Sequence, residues 1–143
     1  MIKLSDYVIE FLVRHEIHDI FLVSGGGMMH LLDSVGRNKK IRYISNHHEQ
    51  ASATAAESYA RLTGHMGACL VTTGPGGTNA ITGVAGAWLD SIPMIAISGQ
   101  VKREVLSDYS KLRQMGPQEI DITRIVAPIT KYAVTILDPN KIR

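Results

Sequence analysis

The chain has 143 residues, of which 45% are hydrophobic, 20% charged and 6% aromatic, enough for one compact domain and too few for two. Fifteen Lys and Arg against thirteen Asp and Glu leave a formal charge of +2, so the basic footprint of a nucleic-acid or anionic-membrane binder is absent. The single cysteine, Cys69, excludes a disulfide framework or a cysteine-clustered zinc site. One thiol beside six methionines suits a reducing cytoplasm. Lys3, Asp6 and Glu10 fall too early for the apolar core of a signal peptide. The most apolar stretch, Ile81 to Ser98, is interrupted by Gly83, Gly86, Asp90 and Pro93, which argues against a membrane span.

In chain order, Ser5 is placed to cap a helix whose inward stripe is Val8, Ile9, Leu12 and Val13. Asp19 to Val23 is a short apolar run ending at Ser24-Gly25-Gly26-Gly27, the pattern of a buried strand. Met28 to Val35 predicts a helix stopped by Gly36, and Ile41 to Ile44 a strand. His48 to Thr63, with five alanines, predicts a helix with Gly64 as its stop. Ala68 to Thr72 predicts a strand, Gly74 to Gly77 a loop, Thr78 to Leu89 a small-residue helix, and Met94 to Ser98 another strand. Lys102 to Ile120 is polar and irregular. A short helix over 122–126 and a last strand near 132–135 follow, and Asp138-Pro139-Asn140 then signals a helix start just before the sequence stops. The chain therefore reads as a fragment cut off within an α/β domain. Apolar strands separated by helices predict a mainly parallel sheet covered by helices on both faces.

In such a sheet, ligands bind outside the carboxyl ends of the strands. Four segments leave strands there: Ser24 to Gly27, Asn46 to Glu49, Thr73 to Asn79, and Gly99-Gln100. Two are glycine-rich, allowing backbone to approach a ligand, and one carries an acid at a helix start. A phosphate cradle is one candidate. However, Gly25-x-Gly27-x-x-His30 and Gly74-x-Gly76-x-x-Asn79 both miss the last glycine of a dinucleotide fingerprint, and neither carries Gly-Lys-Ser/Thr. Glu49, about 20 residues beyond the first glycine loop, keeps open a nucleotide-binding oxidoreductase reading with that acid on a ribose. A non-catalytic interaction module is the third reading. His47 and His48 suggest a metal pair, but adjacent residues diverge and no third ligand is evident. Cys69 reads as a small buried hydrophobe.

Asn46-His47-His48-Glu49-Gln50-Ala51, Ala55-Ala56-Glu57-Ser58-Tyr59-Ala60-Arg61, Val71-Thr72-Thr73-Gly74-Pro75-Gly76-Gly77-Thr78-Asn79, Asp90-Ser91-Ile92-Pro93 and Ser98-Gly99-Gln100-Val101 stand in an order that carries a resemblance. Gln118-Glu119-Ile120-Asp121 and Pro128-Ile129-Thr130-Lys131 extend it over nearly the whole chain. The sequence resembles the amino-terminal, pyrimidine-binding domain of thiamine-diphosphate enzymes of the acetolactate synthase and pyruvate oxidase type. The resemblance implies a thiamine-diphosphate-binding fold over residues 1–143 and action on 2-oxo acids by decarboxylation and carboligation. It implies Glu49 as the catalytic acid, bonded to N1′ of the aminopyrimidine, where sharing a proton favours the imino tautomer that deprotonates C2 of the thiazolium. Ser24, Gly25, Gly26, Thr72, Pro75 and Asn79 are implied to contact cofactor, and Gln118 to lie on the substrate side. The family's Gly-Asp-Gly motif, which holds Mg²⁺ and the diphosphate, does not occur here. No metal ligand is thus expected in this chain, and a further domain or a separate subunit is implied to supply them. A homodimer or higher oligomer is implied for the complete enzyme, with this portion inactive alone.

Overall fold

A computed structural model describes residues 2–142. Four strands, β1 (Asp19–Leu22), β2 (Arg42–Ser45), β3 (Gly67–Val71) and β4 (Met94–Ser98), form one sheet in the order β2-β1-β3-β4. Every pairing is parallel, as expected. Helix α1 (Leu4–Arg14) precedes β1, helices α2 (Met29–Arg37), α3 (Glu49–Thr63) and α4 (Pro75–Leu89) carry the connections, and a short α5 at Ile122–Val126 follows the sheet.

Alternation along the strands assigns the two faces. Ile20, Leu22, Ala68 and Leu70 pack with Ile9 and Leu12 of α1 and Val35 of α2. Cys69 and Val71 pack on the opposite face with Ala53 and Ala56 of α3 and Ala80 of α4. β3 is buried along all five residues, as a strand covered on both faces must be. Fully burying one Ile or Leu is worth about 1.5–3 kcal/mol, so Ile9 and Leu12 are the anchors of α1 on the sheet. α3 and α4 pack through small residues: a Cβ added at Gly83 would stand 2.6 Å from the Ala53 Cβ and 2.7 Å from the Thr54 nitrogen. Arg61 of α3 donates to Glu57 and, at 2.7 Å, to Asp90 just beyond α4, tying the far ends of the two helices.

Several sequence expectations are corrected. Ser5 does not cap α1; Lys3 is the cap residue, and Ser5 is buried inside the helix, accepting a hydrogen bond from Ser34 Oγ at 2.9 Å. α2 runs through Gly36 to Arg37, because a single exposed glycine weakens a helix without breaking it. α4 starts at Pro75 rather than Thr78: proline supplies a helical φ and needs no N–H at the first position. The expected strand near 132–135 does not form. The short α5 packs on α4, leading the chain across that helix rather than alongside β4. Tyr132 is left 78% exposed, outside any ladder. Asp138 caps a single 3₁₀ turn, Pro139–Lys141, accepting from the Asn140 N–H at 2.9 Å.

Candidate active site

Strand register brings the four carboxyl ends to one edge: Leu22 lies opposite Ser45 and Leu70, and Val71 opposite Ser98. The segments leaving there interlock. Gly27 donates its backbone N–H to Thr72 Oγ1 at 3.1 Å. Side chains at Gly25 and Gly27 would overlap Thr72 and Thr73, and one at Gly99 would strike the Gly27 carbonyl. Glycine at these points is a requirement of close approach between backbones. Gly26 differs: space around its missing side chain is open.

Glu49 is the first residue of α3. His48 precedes it as the cap, its Nδ1 accepting the Gln50 N–H at 3.2 Å. Asn46 donates to Ser52 Oγ at 3.0 Å and closes the same turn. This places the half-buried Glu49 carboxylate at the sheet edge, where its Oε2 accepts a 2.9 Å hydrogen bond from Asn79 Nδ2. Asn79 sits one turn into α4. Gly76, on the first turn, faces the other oxygen: a Cβ there would lie 3.5 Å from Glu49 Oε1 and 2.8 Å from Thr72 Cγ2. Two helix amino termini therefore flank one carboxylate. The arrangement offers an oriented proton-exchanging group beside an uncovered glycine turn.

Of the residues singled out from sequence, Gly25, Glu49, Thr72 and Asn79 come together. Pro75 is exposed at the start of α4, and Ser24 is exposed at the first glycine turn. Gln118 joins through its backbone. It has φ +57°, and a side chain at Gly74, itself at φ +63°, would overlap the Gln118 carbonyl. The 102–120 loop thus folds back on the start of α4. Gln100 Nε2 donates to the Ile120 carbonyl at 3.0 Å across the base of that loop.

Gly76 and Gly99 lie in edge segments that the sequence singled out; what sequence reasoning missed is a role for Glu119. Glu119 is 6% exposed. Its Oε1 accepts the Ser107 N–H at 2.5 Å, and its Oε2 accepts Ser107 Oγ–H at 2.9 Å and the N–H groups of Met115 and Gly116 at 2.8 Å each. Burial alone would raise its pKa, but the Ser107, Met115 and Gly116 N–H groups outweigh it and hold the value at about 2. The available signal was its place directly after Gln118. His47 is exposed and His48 is engaged as a helix cap. Among the described residues no three His, Cys, Asp or Glu side chains are grouped to hold a metal ion.

Comparison with known proteins identifies the family. A family described as "Thiamine pyrophosphate enzyme, N-terminal TPP binding domain" matches residues 2–125. The chain is 40% identical over 138 residues to an acetolactate synthase large subunit of Cyanidium caldarium, covering 94% of this chain and 23% of that protein. It is 41% identical over 138 residues to an acetolactate synthase of Arthrospira platensis, again covering 94% and 23%. With a chloroplastic acetolactate synthase 2 of Nicotiana tabacum it shares 39% over 140 residues, covering 98% and 20%. The chain thus spans between a fifth and a quarter of the length of these curated relatives. These matches favour the thiamine-diphosphate reading over a nucleotide-binding oxidoreductase. A carboxylate oriented by asparagine at a glycine-lined sheet edge and a family match across most of the sequence lead to one conclusion: the chain belongs to the thiamine pyrophosphate enzymes, as their N-terminal cofactor-binding domain.

Proposed function

We propose that this chain is the pyrimidine-binding portion of an enzyme that decarboxylates a 2-oxo acid and joins the remaining fragment to a carbonyl acceptor. The observation that carries the reading is the half-buried Glu49 carboxylate, oriented by Asn79 at the edge where the glycine turns gather. A side chain at Gly76 would occupy the space beside Glu49 Oε1; without one, a flat heterocycle has access to that oxygen. The residues present therefore fit an aminopyrimidine.

In this reading Glu49 holds a proton at N1′ of the ring, and Asn79 keeps the carboxyl group turned toward it. Thr72 and Pro75 line the ring's side of the α4 turn. Ser24, Gly25 and Gly26 keep the opposite wall low, and Gln118 stands on the substrate side. Bound thiamine diphosphate supplies the nucleophilic carbon and the electron sink for decarboxylation. Mg²⁺ and the diphosphate are assigned, on the family resemblance, to another domain or subunit. The complete enzyme is accordingly a homodimer, a higher oligomer or an assembly with a separate diphosphate-binding chain, working in the cytoplasm. This portion alone is inactive. Among the described residues no helix is long and apolar enough to cross a membrane.

The test uses the whole protein carrying this domain. Glu49→Gln is expected to slow C2-proton exchange of bound cofactor, followed by NMR after acid quench, by about 100-fold or more with the circular dichroism spectrum unchanged. An exchange rate equal to that of the parent removes Glu49 from the chemistry. In calorimetry, binding of NAD in place of thiamine diphosphate with Mg²⁺ overturns the whole reading.

A further inference from the structure

We propose that Glu119 is a positioning residue for this site: its buried carboxylate clamps the 107–116 loop so that Gln118 presses on Gly74 and sets where α4 begins. The proposal rests on the reading of the Glu49 edge as the pyrimidine site, and it concerns a residue that lies outside that edge.

The clamp is built from backbone. Three of the four groups donating to Glu119 are N–H groups, of Ser107, Met115 and Gly116, and the fourth is the Ser107 hydroxyl. A glutamine in its place has one acceptor oxygen instead of two and turns an NH₂ toward groups that are themselves donors. The adjoining residue is under conformational load. Gln118 has φ +57°, a region disfavoured for any residue with a Cβ and retained only where its surroundings impose it. On one side it is held by Glu119, whose own N–H also bonds the Gly116 carbonyl at 3.4 Å. On the other it meets Gly74, the only residue type that leaves room for the Gln118 carbonyl, and whose added Cβ would come within 3.3 Å of the Gln118 Cβ.

Gly74 is the residue before Pro75, where α4 starts. One turn later Asn79 holds Glu49 at 2.9 Å. A continuous packed path therefore runs from the Glu119 clamp through Gln118 and Gly74 to the catalytic carboxylate. A carboxylate that served only to fold a surface loop would not need to end on this strained contact.

The experiment compares parent, Glu119→Gln, Gly74→Ala and the double variant in the whole protein. Without cofactor, Glu119→Gln is expected to speed hydrogen exchange about tenfold over both 107–116 and 72–79. Faster exchange over 107–116 alone, with 72–79 at the parent rate, overturns the clamp's reach to the site. With cofactor, calorimetry is expected to show about tenfold weaker thiamine diphosphate binding for each single variant. The double variant is expected to bind no more weakly than Gly74→Ala, because both changes break one contact; multiplied losses overturn the proposal. If Glu119→Gln fails to fold, Ser107→Ala removes one donor and is read by the same two measurements in its place. Should the parent protein bind no thiamine diphosphate, the functional reading fails, and exchange over 72–79 still decides the clamp.

Discussion

Glu49, Cys69 and Glu119 show three ways in which a side chain takes its character from its surroundings. Glu49 was legible in the sequence as an acid opening a helix just after a strand, and that is where it stands. Its partner Asn79 lies 30 residues away, a pairing that no local pattern encodes. Cys69 is fully buried mid-strand, and burial pushes its thiol up to about 12. At pH 8 it is expected to react with a disulfide reagent far more slowly in the native protein than in denaturant, as an exposed thiol would not. Glu119 was not legible in its role, because its partners are backbone N–H groups, which every residue but proline possesses. Its folded pKa of about 2 lies below the ordinary 4.5, so acid protonates the unfolded chain first. Its contribution is present above pH 4.5 and is lost as pH falls toward 2. Denaturant midpoints of parent and Glu119→Gln should therefore converge over that interval; a constant gap between the two would assign the effect to packing instead of charge.

Helices and strands with a clear apolar period were readable almost to their ends. α3 begins after His48 and ends at Gly64 in the left-handed conformation (φ +73°), as the stop signal suggested. The errors share a cause, which is that single residues admit more than one structural use. Gly36 has the pattern of a stop and lies inside α2, and Pro75-Gly76-Gly77 has the composition of a loop but forms the first turn of α4. That second shift matters to the site, since only a helical first turn carries Gly76 over Glu49 and Asn79 onto it. The small-residue character of α3 and α4 has a measurable consequence. Gly83→Ala would drive a methyl group into the Ala53–Thr54 backbone, and overpacking of this kind costs about 1–3 kcal/mol. A lower denaturant midpoint at unchanged slope is the expected result; full stability would mean that the two helices separate freely.

Across the molecule, protection should follow burial. β3 lies between neighbours on both sides with every residue buried, whereas 131–137 has no ladder partner among the described residues. Hydrogen exchange is expected to be slowest in β3 and fastest over 131–137, and the reverse order would refute the topology. The strand expected at 132–135 illustrates the limit of local reading: Tyr132, Val134 and their neighbours have the composition of a strand, but a strand exists only where another edge accepts its hydrogen bonds. Apolar periodicity alone was sufficient for the α/β class and the two-faced burial, since burial of an apolar stripe is a short-range pattern. The pairing of Glu49 with Asn79, the approach of Gly76 and the closure of a surface loop by Glu119 required the folded chain. Those contacts join residues distant in sequence, and their strength comes from distance and orientation, which a linear order of side chains does not contain.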